Sequence, residues 1–525
     1  MSDLFSQDKD VAELEAIRAF EHQIGAGGIE AFRIAAGNEE FLKFCVGRDA
    51  PIYRYAIRET QKALPASNPF RGSLSLELRR QDRFPESLEA TVLLSLLARS
   101  TRAVAENDPG TGFSIPYVPF QNHEDYQLAQ AATHVVVGRR GVGKSTLIRR
   151  ATEILRASQK VVVVIDSQPY ATVSKDEVSR ELLEDVVEGI LESSAKMAQT
   201  MQKQIDLRDL QQIRDDLASG ERKPEQLVPS IKRCLKSITS GLQTDVFVFL
   251  DDFHVVQWDD QPRLLHLIHG VLKGARGWLK VAGIRSLLNY YSPATREGLQ
   301  IPGDAQLISL DLTLVNPVAA QSHLQAILEG FLQAVGYSLS TSVIPDRAFQ
   351  RLAWANAGVP RDFLQMFAKS VEHARRNKHA AVTVSDVNIA IGESGQGKMD
   401  ELTQDARNAE GDLRRMLTAL EDFCLDEKGI NAFLLSSEES KERKLTHILN
   451  DLRLVHLISQ SITPDRAGKR FEAYILDYSL FTGFRRRQGI KEMIPKEGQF
   501  KASELRSLPK VTGGFLAGQV EAQQV

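Results

Sequence analysis

Apolar side chains recur at helical spacing through residues 1–106. The segments 11–24, 29–45, 52–64 and 88–104 each carry one apolar face, which predicts four helices and an all-α N-terminal domain. Gly25-Ala-Gly-Gly28 and the stretch from Pro65 to Pro69 punctuate them. A Gly- and Pro-containing stretch, 107–119, reads as a linker. From His134 the pattern changes. Short unbroken apolar runs at 134–137, 161–165, 246–250, 279–284 and 307–310 alternate with helix-length segments, the signature of a parallel α/β sheet. The charged stretch 175–240 is longer than one crossover needs and reads as a helical insertion. Residues 317–395 return to helical spacing. Residues 411–482 predict helices and then two β-rich runs, 454–462 and 470–478, around Pro464-Asp-Arg-Ala-Gly-Lys469. Residues 496–525, rich in Gly, Gln and Ser, read as a flexible tail.

The 525 residues are 42% hydrophobic and 25% charged, enough apolar mass for about three to four globular domains. Lys and Arg number 65 against 68 Asp and Glu, a net charge of -3, so any grip on nucleic acid must come from a local patch. Cys45, Cys234 and Cys424 are sparse and far apart, without metal-ligand spacing, which fits a reducing compartment. The N-terminus is polar and acidic, unlike a signal peptide, and no apolar run approaches membrane-spanning length. A cytoplasmic protein is expected.

Chemistry enters at Gly138-Arg-Arg-Gly-Val-Gly143-Lys144-Ser145-Thr146, which fits G-x-x-x-x-G-K-[ST] in full, after an apolar run and at the start of a helical one. Gly138, Gly141 and Gly143 let the backbone curl so that N–H groups converge on phosphates. Lys144 is placed to bridge phosphate oxygens and Ser145 to ligate Mg²⁺, with Thr146 next on the helix. A second half is supplied by Asp245-Val-Phe-Val-Phe-Leu-Asp251-Asp252, an apolar strand ending in two carboxylates. Asp251 is expected in the Mg²⁺ shell and Asp252 beside the attacking water. The guanine-reading N/T-K-x-D pattern is missing, since Asn377-Lys378 is followed by His379-Ala380, so ATP is expected.

With these motifs the stretch 117–395 resembles AAA+ ATPases, nearest the origin-recognition and transposition-regulator branch. That likeness implies a core at 117–316 and a helical lid at 317–395. It makes Arg285, in Leu279-Lys-Val-Ala-Gly-Ile284-Arg285-Ser286, the sensor-1 residue. Arg361, in Ala357-Gly358-Val359-Pro360-Arg361, becomes sensor 2, reaching the γ-phosphate from the lid. Val382-Thr-Val-Ser-Asp386-Val-Asn-Ile-Ala-Ile391 resembles the lid's closing segment, with Ser385 as N-cap. The family usually carries Asp-Glu where this chain has Asp251-Asp252, which implies slow hydrolysis and leaves a switch as good a reading as a motor. A partner subunit's arginine completes many such sites, and Arg296 or Arg276 are the options here. A homo-oligomer is implied.

Residues 411–490 read as a winged helix, with Ser436-Ser-Glu-Glu439 as a capping box. In origin-recognition relatives such a module touches DNA. The candidates are Lys441, Lys444, His447 and Arg453 on the helix, Arg466, Lys469 and Arg470 on the wing, and Arg485-Arg486-Arg487 beyond. A winged helix packed on protein is the alternative. The Asp-Asp ending also resembles signalling ATPases of the STAND class, for example in bacterial antiviral defence, with a protein partner recruited by the N-terminal helices. A small-molecule P-loop kinase is disfavoured by the lid-like and winged-helix segments.

Overall fold

The structure is a computed structural model that describes residues 2–36, 39–79, 83–100, 113, 115–406, 409–464, 469–482, 489–495, 498–512 and 514–516. At the N-terminus the helix Ser2–Ile24 is followed by β1 (Ala31–Ala36) and β2 (Glu39–Val46), the helix Pro51–Ala63, β3 (Leu74–Leu78) and the helix Leu88–Ser100. β1 and β2 pair antiparallel, and β3 joins β2 in parallel. The all-α expectation is therefore corrected: 29–45 holds a strand pair instead of a helix. Leu42, Phe44 and Val46 are buried at period two along β2, a strand pattern that the alanines and leucine of this stretch masked as helical.

The central sheet contains β4 (His134–Val137), β5 (Val161–Asp166), β6 (Val246–Asp251) and β7 (Gly277–Gly283). A small antiparallel hairpin, β8 (Tyr291–Ser292) with β9 (Glu297–Gly298), precedes its last strand, β10 (Gln306–Ser309). The order is β10-β4-β7-β6-β5 and every pairing is parallel. Parallel strands covered on both faces need apolar residues at every position. Val246, Val248 and Leu250 of β6 pack with the helices of the insertion, while Phe247 and Phe249 pack with the helix Lys144–Ala157. The insertion is three helices, Lys175–Thr200, Arg208–Ser219 and Pro224–Leu242.

Four helices follow: Pro317–Ala334, Asp346–Ala355, Pro360–Arg376 and Val384–Ala406. The last begins with a reciprocal cap. Thr383 Oγ1 accepts the Asp386 N–H at 3.3 Å and Asp386 Oδ2 accepts the Thr383 N–H at 2.9 Å. Thr383 takes the position expected for Ser385, because its partner carboxylate lies three residues on. The N-terminal elements dock on this layer, where the Arg375 guanidinium donates to the Pro85 carbonyl at 2.6 Å and to Thr91 Oγ1 at 2.9 Å.

The C-terminal part contains the helix Glu410–Glu421, β11 (Ala432–Ser436), the helix Lys441–Asp451, β12 (Val455–Ile462) and β13 (Phe471–Leu476). After these come a short helix, Ala502–Arg506, and β14 (Lys510–Val511). The sheet order is β12-β13-β11-β14. Ser436 ends a strand, and Ser440 caps the helix by accepting the Arg443 N–H at 3.2 Å, which corrects the expected cap at 436. The supposed tail is corrected in its described part. β14 lies parallel to β11, and Leu505, Leu508 and Val511 are buried at three-residue spacing in the large apolar core. Among the described residues no helix is long and apolar enough to cross a membrane. One continuous apolar core joins residues of the N-terminal, 317–406 and C-terminal elements.

Candidate functional site

β4 runs into the loop 138–143, which turns directly into the helix Lys144–Ala157. Gly141 and Gly143 have φ of +77° and +104°, backbone that side chains rarely adopt. No side chain caps the helix at Gly143, so the loop and first helical turn present N–H groups suited to an anion. Lys144 is buried, and its Nζ donates to the carbonyls of Gly138 and Arg139, both at 3.1 Å. Burial pushes its pKa down, opposed by Asp252, Asp251, Asp311 and Asp451 in that order.

β6 ends at Asp251, whose carboxylate accepts the Asp252 N–H at 2.9 Å, and the Ser145 hydroxyl lies close enough to favour its charged form. Burial, and then the charge of Asp252, pushes Asp251 up to about 6. The Ser145 hydroxyl and the Asp251 carboxylate are oxygen donors of the kind a hard divalent cation takes. Asp252 sits at φ +49° and is met at 3.4 Å by Gln168 Nε2, from the end of β5. Gln168 carried no motif, but its position just beyond a strand of the sheet was a signal.

Arg285, just beyond β7, donates to Ser309 Oγ at 2.8 Å, and its Nε lies 3.8 Å from Asp311 Oδ2. Asp311 was missed in the sequence, although it follows the last sheet strand as Asp251 ends another. Its Oδ1 accepts the Arg139 N–H of the loop at 2.9 Å. Arg361 approaches from the helix Pro360–Arg376. Its N–H donates to the Gly141 carbonyl at 3.3 Å, and a Cβ added to Gly141 would lie 3.0 Å from that of Arg361.

A third contributor had no sequence signal, because it lies three hundred residues downstream. The turn after the helix Lys441–Asp451 covers the loop. The Asp451 carbonyl accepts the Arg140 N–H at 3.3 Å, and its Oδ2 accepts the Ser286 N–H at 2.9 Å. Burial pushes the Asp451 carboxyl up, with Asp311 adding to the effect. Arg453 is buried and bonded to Asp362 and Glu401, and Glu401 also lies 3.6 Å from Arg140.

The other expected cations are placed differently. Arg276 pairs with Asp245 at 3.0 Å, at the opposite end of β6 from Asp251. Arg296 turns the hairpin of β8 and β9 at φ +58°. Arg453 does not face solvent, which corrects its placement on a DNA-reading surface. Lys441 pairs with Asp412 at 2.6 Å, His447 with Glu472 at 2.9 Å, Lys444 with Glu439 at 3.5 Å, and Lys469 with Glu438 at 3.5 Å. Arg470 is exposed. Arg466 and Arg485–Arg487 lie outside the described residues, as does most of the expected linker 107–119.

Residues 127–272 match the family model of the AAA ATPase domain. No curated protein matches the chain. Among solved structures, the chain is similar to Cdc6p from Pyrobaculum aerophilum, with 14% identity, 78% of this chain and 97% of that one covered, and a TM-score of 0.34. It is also similar to the Walker-type ATPase paby2304 of Pyrococcus abyssi, with 14% identity, 70% and 98% coverage, and a TM-score of 0.42. The Aeropyrum pernix ORC1 protein in complex with DNA shares 16% identity, with 69% and 91% coverage and a TM-score of 0.33.

Proposed function

The chain carries an AAA+ P-loop ATPase domain, and on that premise we propose that it binds ATP with Mg²⁺, hydrolyses it slowly, and passes the nucleotide state to its C-terminal module. The observation that carries this reading is a phosphate loop that turns at Gly141 and Gly143 into a helix whose buried Lys144 lies beside Asp251 and Asp252 at the end of β6. Ser145 and Asp251 would hold Mg²⁺, which when bound neutralises phosphate charge. Lys144 leaves the carbonyls of Gly138 and Arg139 to contact phosphate oxygens. Asp252, steadied by Gln168, holds and polarises the attacking water. Its shorter side chain reaches less far than a glutamate, which supports slow turnover. Arg361 reads the γ-phosphate from the lid and Arg285 from the end of β7. Assembly into a homo-oligomer belongs to the same reading, as does a winged helix at 411–490.

Lys144→Ala is expected to abolish ATP binding, measured by titration calorimetry, and retained affinity would remove the loop from this role. Asp252→Asn should bind ATP normally and fail to release phosphate.

A second reading, a STAND-like switch with protein partners in place of DNA, is favoured by one observation. The cations of the helix Lys441–Asp451 are engaged by carboxylates, and Arg453 is buried against the ATPase side. DNA binding that weakens steeply with salt would restore the origin-recognition-like reading. Absence of binding at low salt supports the switch.

A further inference from the structure

Arg139 is, with Arg453, one of the two largest fully buried side chains in the described structure, and a loop motif of the G-x-x-x-x-G-K type makes no demand on that position. Its Nη2 donates to the Ala357 carbonyl at 2.8 Å and to the Leu312 carbonyl at 3.0 Å. Its Nε stands 3.6 Å from Asp311, while Nε and Nη1 have no hydrogen-bond partner. A buried guanidinium with two unbonded donors is costly, and apolar packing would fill the same space without that cost.

Its contacts suggest what the arginine does instead. The Arg139 carbonyl is one of the two resting acceptors of Lys144, so the residue lies next to the group that meets phosphate. Its N–H is held by Asp311, which faces Arg285. Its guanidinium grips the turn Ala357-Gly358, where two successive residues have φ of +48° and +83° and the chain enters the helix bearing Arg361. Lys144, Arg285 and Arg361 thus meet through one side chain and its backbone.

We propose that Arg139 is a positioning residue that ties the phosphate loop to the lid and so sets Arg361 for the γ-phosphate. The proposal rests on the ATP-binding reading. Departure of Lys144 from the Arg139 carbonyl relaxes the loop at that residue. Because the guanidinium holds Ala357, the lid turn follows the loop. Lysine at this position keeps a charge near Asp311, but its ammonium ends one bond short of the Nη2 position that donates to both carbonyls.

The test uses the full chain and competition between a fluorescent nucleotide and unlabelled ATP or ADP. The wild type is expected to favour ATP, and Arg361→Ala to lower the ATP/ADP affinity ratio about ten-fold, the worth of one charge-assisted contact. Arg139→Lys should lower the ratio similarly, with little change in ADP affinity, and the double variant should lower it no further. Asp311→Asn, which keeps an acceptor for the Arg139 N–H, is the second variant should the lysine exchange prevent folding. It should lower the ratio in the same direction.

An unchanged ratio in a folded Arg139→Lys or Asp311→Asn variant, or losses that add in the double variant, would overturn the coupling. So would a wild-type ratio near one. These outcomes are distinct from failure of the ATP reading, which is read from Lys144→Ala binding nucleotide at full affinity.

Discussion

Gly358 shows how narrowly the site is built at single positions. A Cβ there would lie 1.9 Å from the Leu312 carbonyl oxygen, on a residue whose φ is already +83°. Gly358→Ala must therefore either move the turn or strain it. A loss of at least about 2 kcal/mol is expected from the left-handed backbone and the clash together, measured by chemical denaturation. The displaced turn also carries Arg361, so ATP affinity should fall more than ADP affinity. The glycine was readable as part of a G-x-P-R pattern, but its closest neighbour was not, since Leu312 lies 46 positions upstream. The same divide runs through the loop. Gly138 to Thr146 announce themselves because their chemistry is local and their spacing fixed. Asp311, Asp451 and the role of Arg139 depend on partners brought together only by folding.

At the scale of elements, β4 to β7 were legible because burial on both faces leaves nearly unbroken apolar runs, while β10, an edge strand with Ile308 alone buried, showed through the run Leu307 to Leu310. The strands β1 and β2 were not, because alternating burial competes with the helical propensity of alanine and leucine. β14 was hidden by a composition that reads as loop, although Leu505, Leu508 and Val511 mark the docked part. β13 illustrates a further consequence of pairing. Burial opposes the charge of Glu472, but hydrogen bonds from His447 and Arg443 outweigh it and bring its pKa from 4.5 down to about 2. A carboxyl depressed in this way stabilises the fold above its unfolded pKa. That stabilisation is lost as pH falls from about 4.5 to about 2. Glu472→Gln should be less stable than the parent at pH 7, with the difference closing through that window, as followed by hydrogen exchange of the β13 amides.

Over the whole molecule, the N-terminal elements, the four-helix layer and the C-terminal module share one core, which neither composition nor motif spacing reveals. A buried ionic cluster crosses the junction between them. Arg453 bonds Asp362 and Glu401, while Asp477 accepts from Lys398 at 2.6 Å and contacts His456 at 2.7 Å. Removing one member of such a cluster leaves buried charge behind. Arg453→Ala is expected to cost about 3–5 kcal/mol, with a lowered melting temperature. Lysine should restore little of it, since one ammonium cannot bridge both carboxylates in the geometry of a guanidinium.

The cover supplied by Asp451 also bears on how the protein is made. A nascent chain that has emerged from the ribosome as far as residue 406 already contains the sheet, the phosphate loop and the four helices after the sheet. Until the chain extends past Arg453, the Arg140 and Ser286 amides lack their Asp451 acceptors and Asp362 has Lys398 alone as its buried counter-charge. The cover over the loop is therefore the last part of the site to be synthesised.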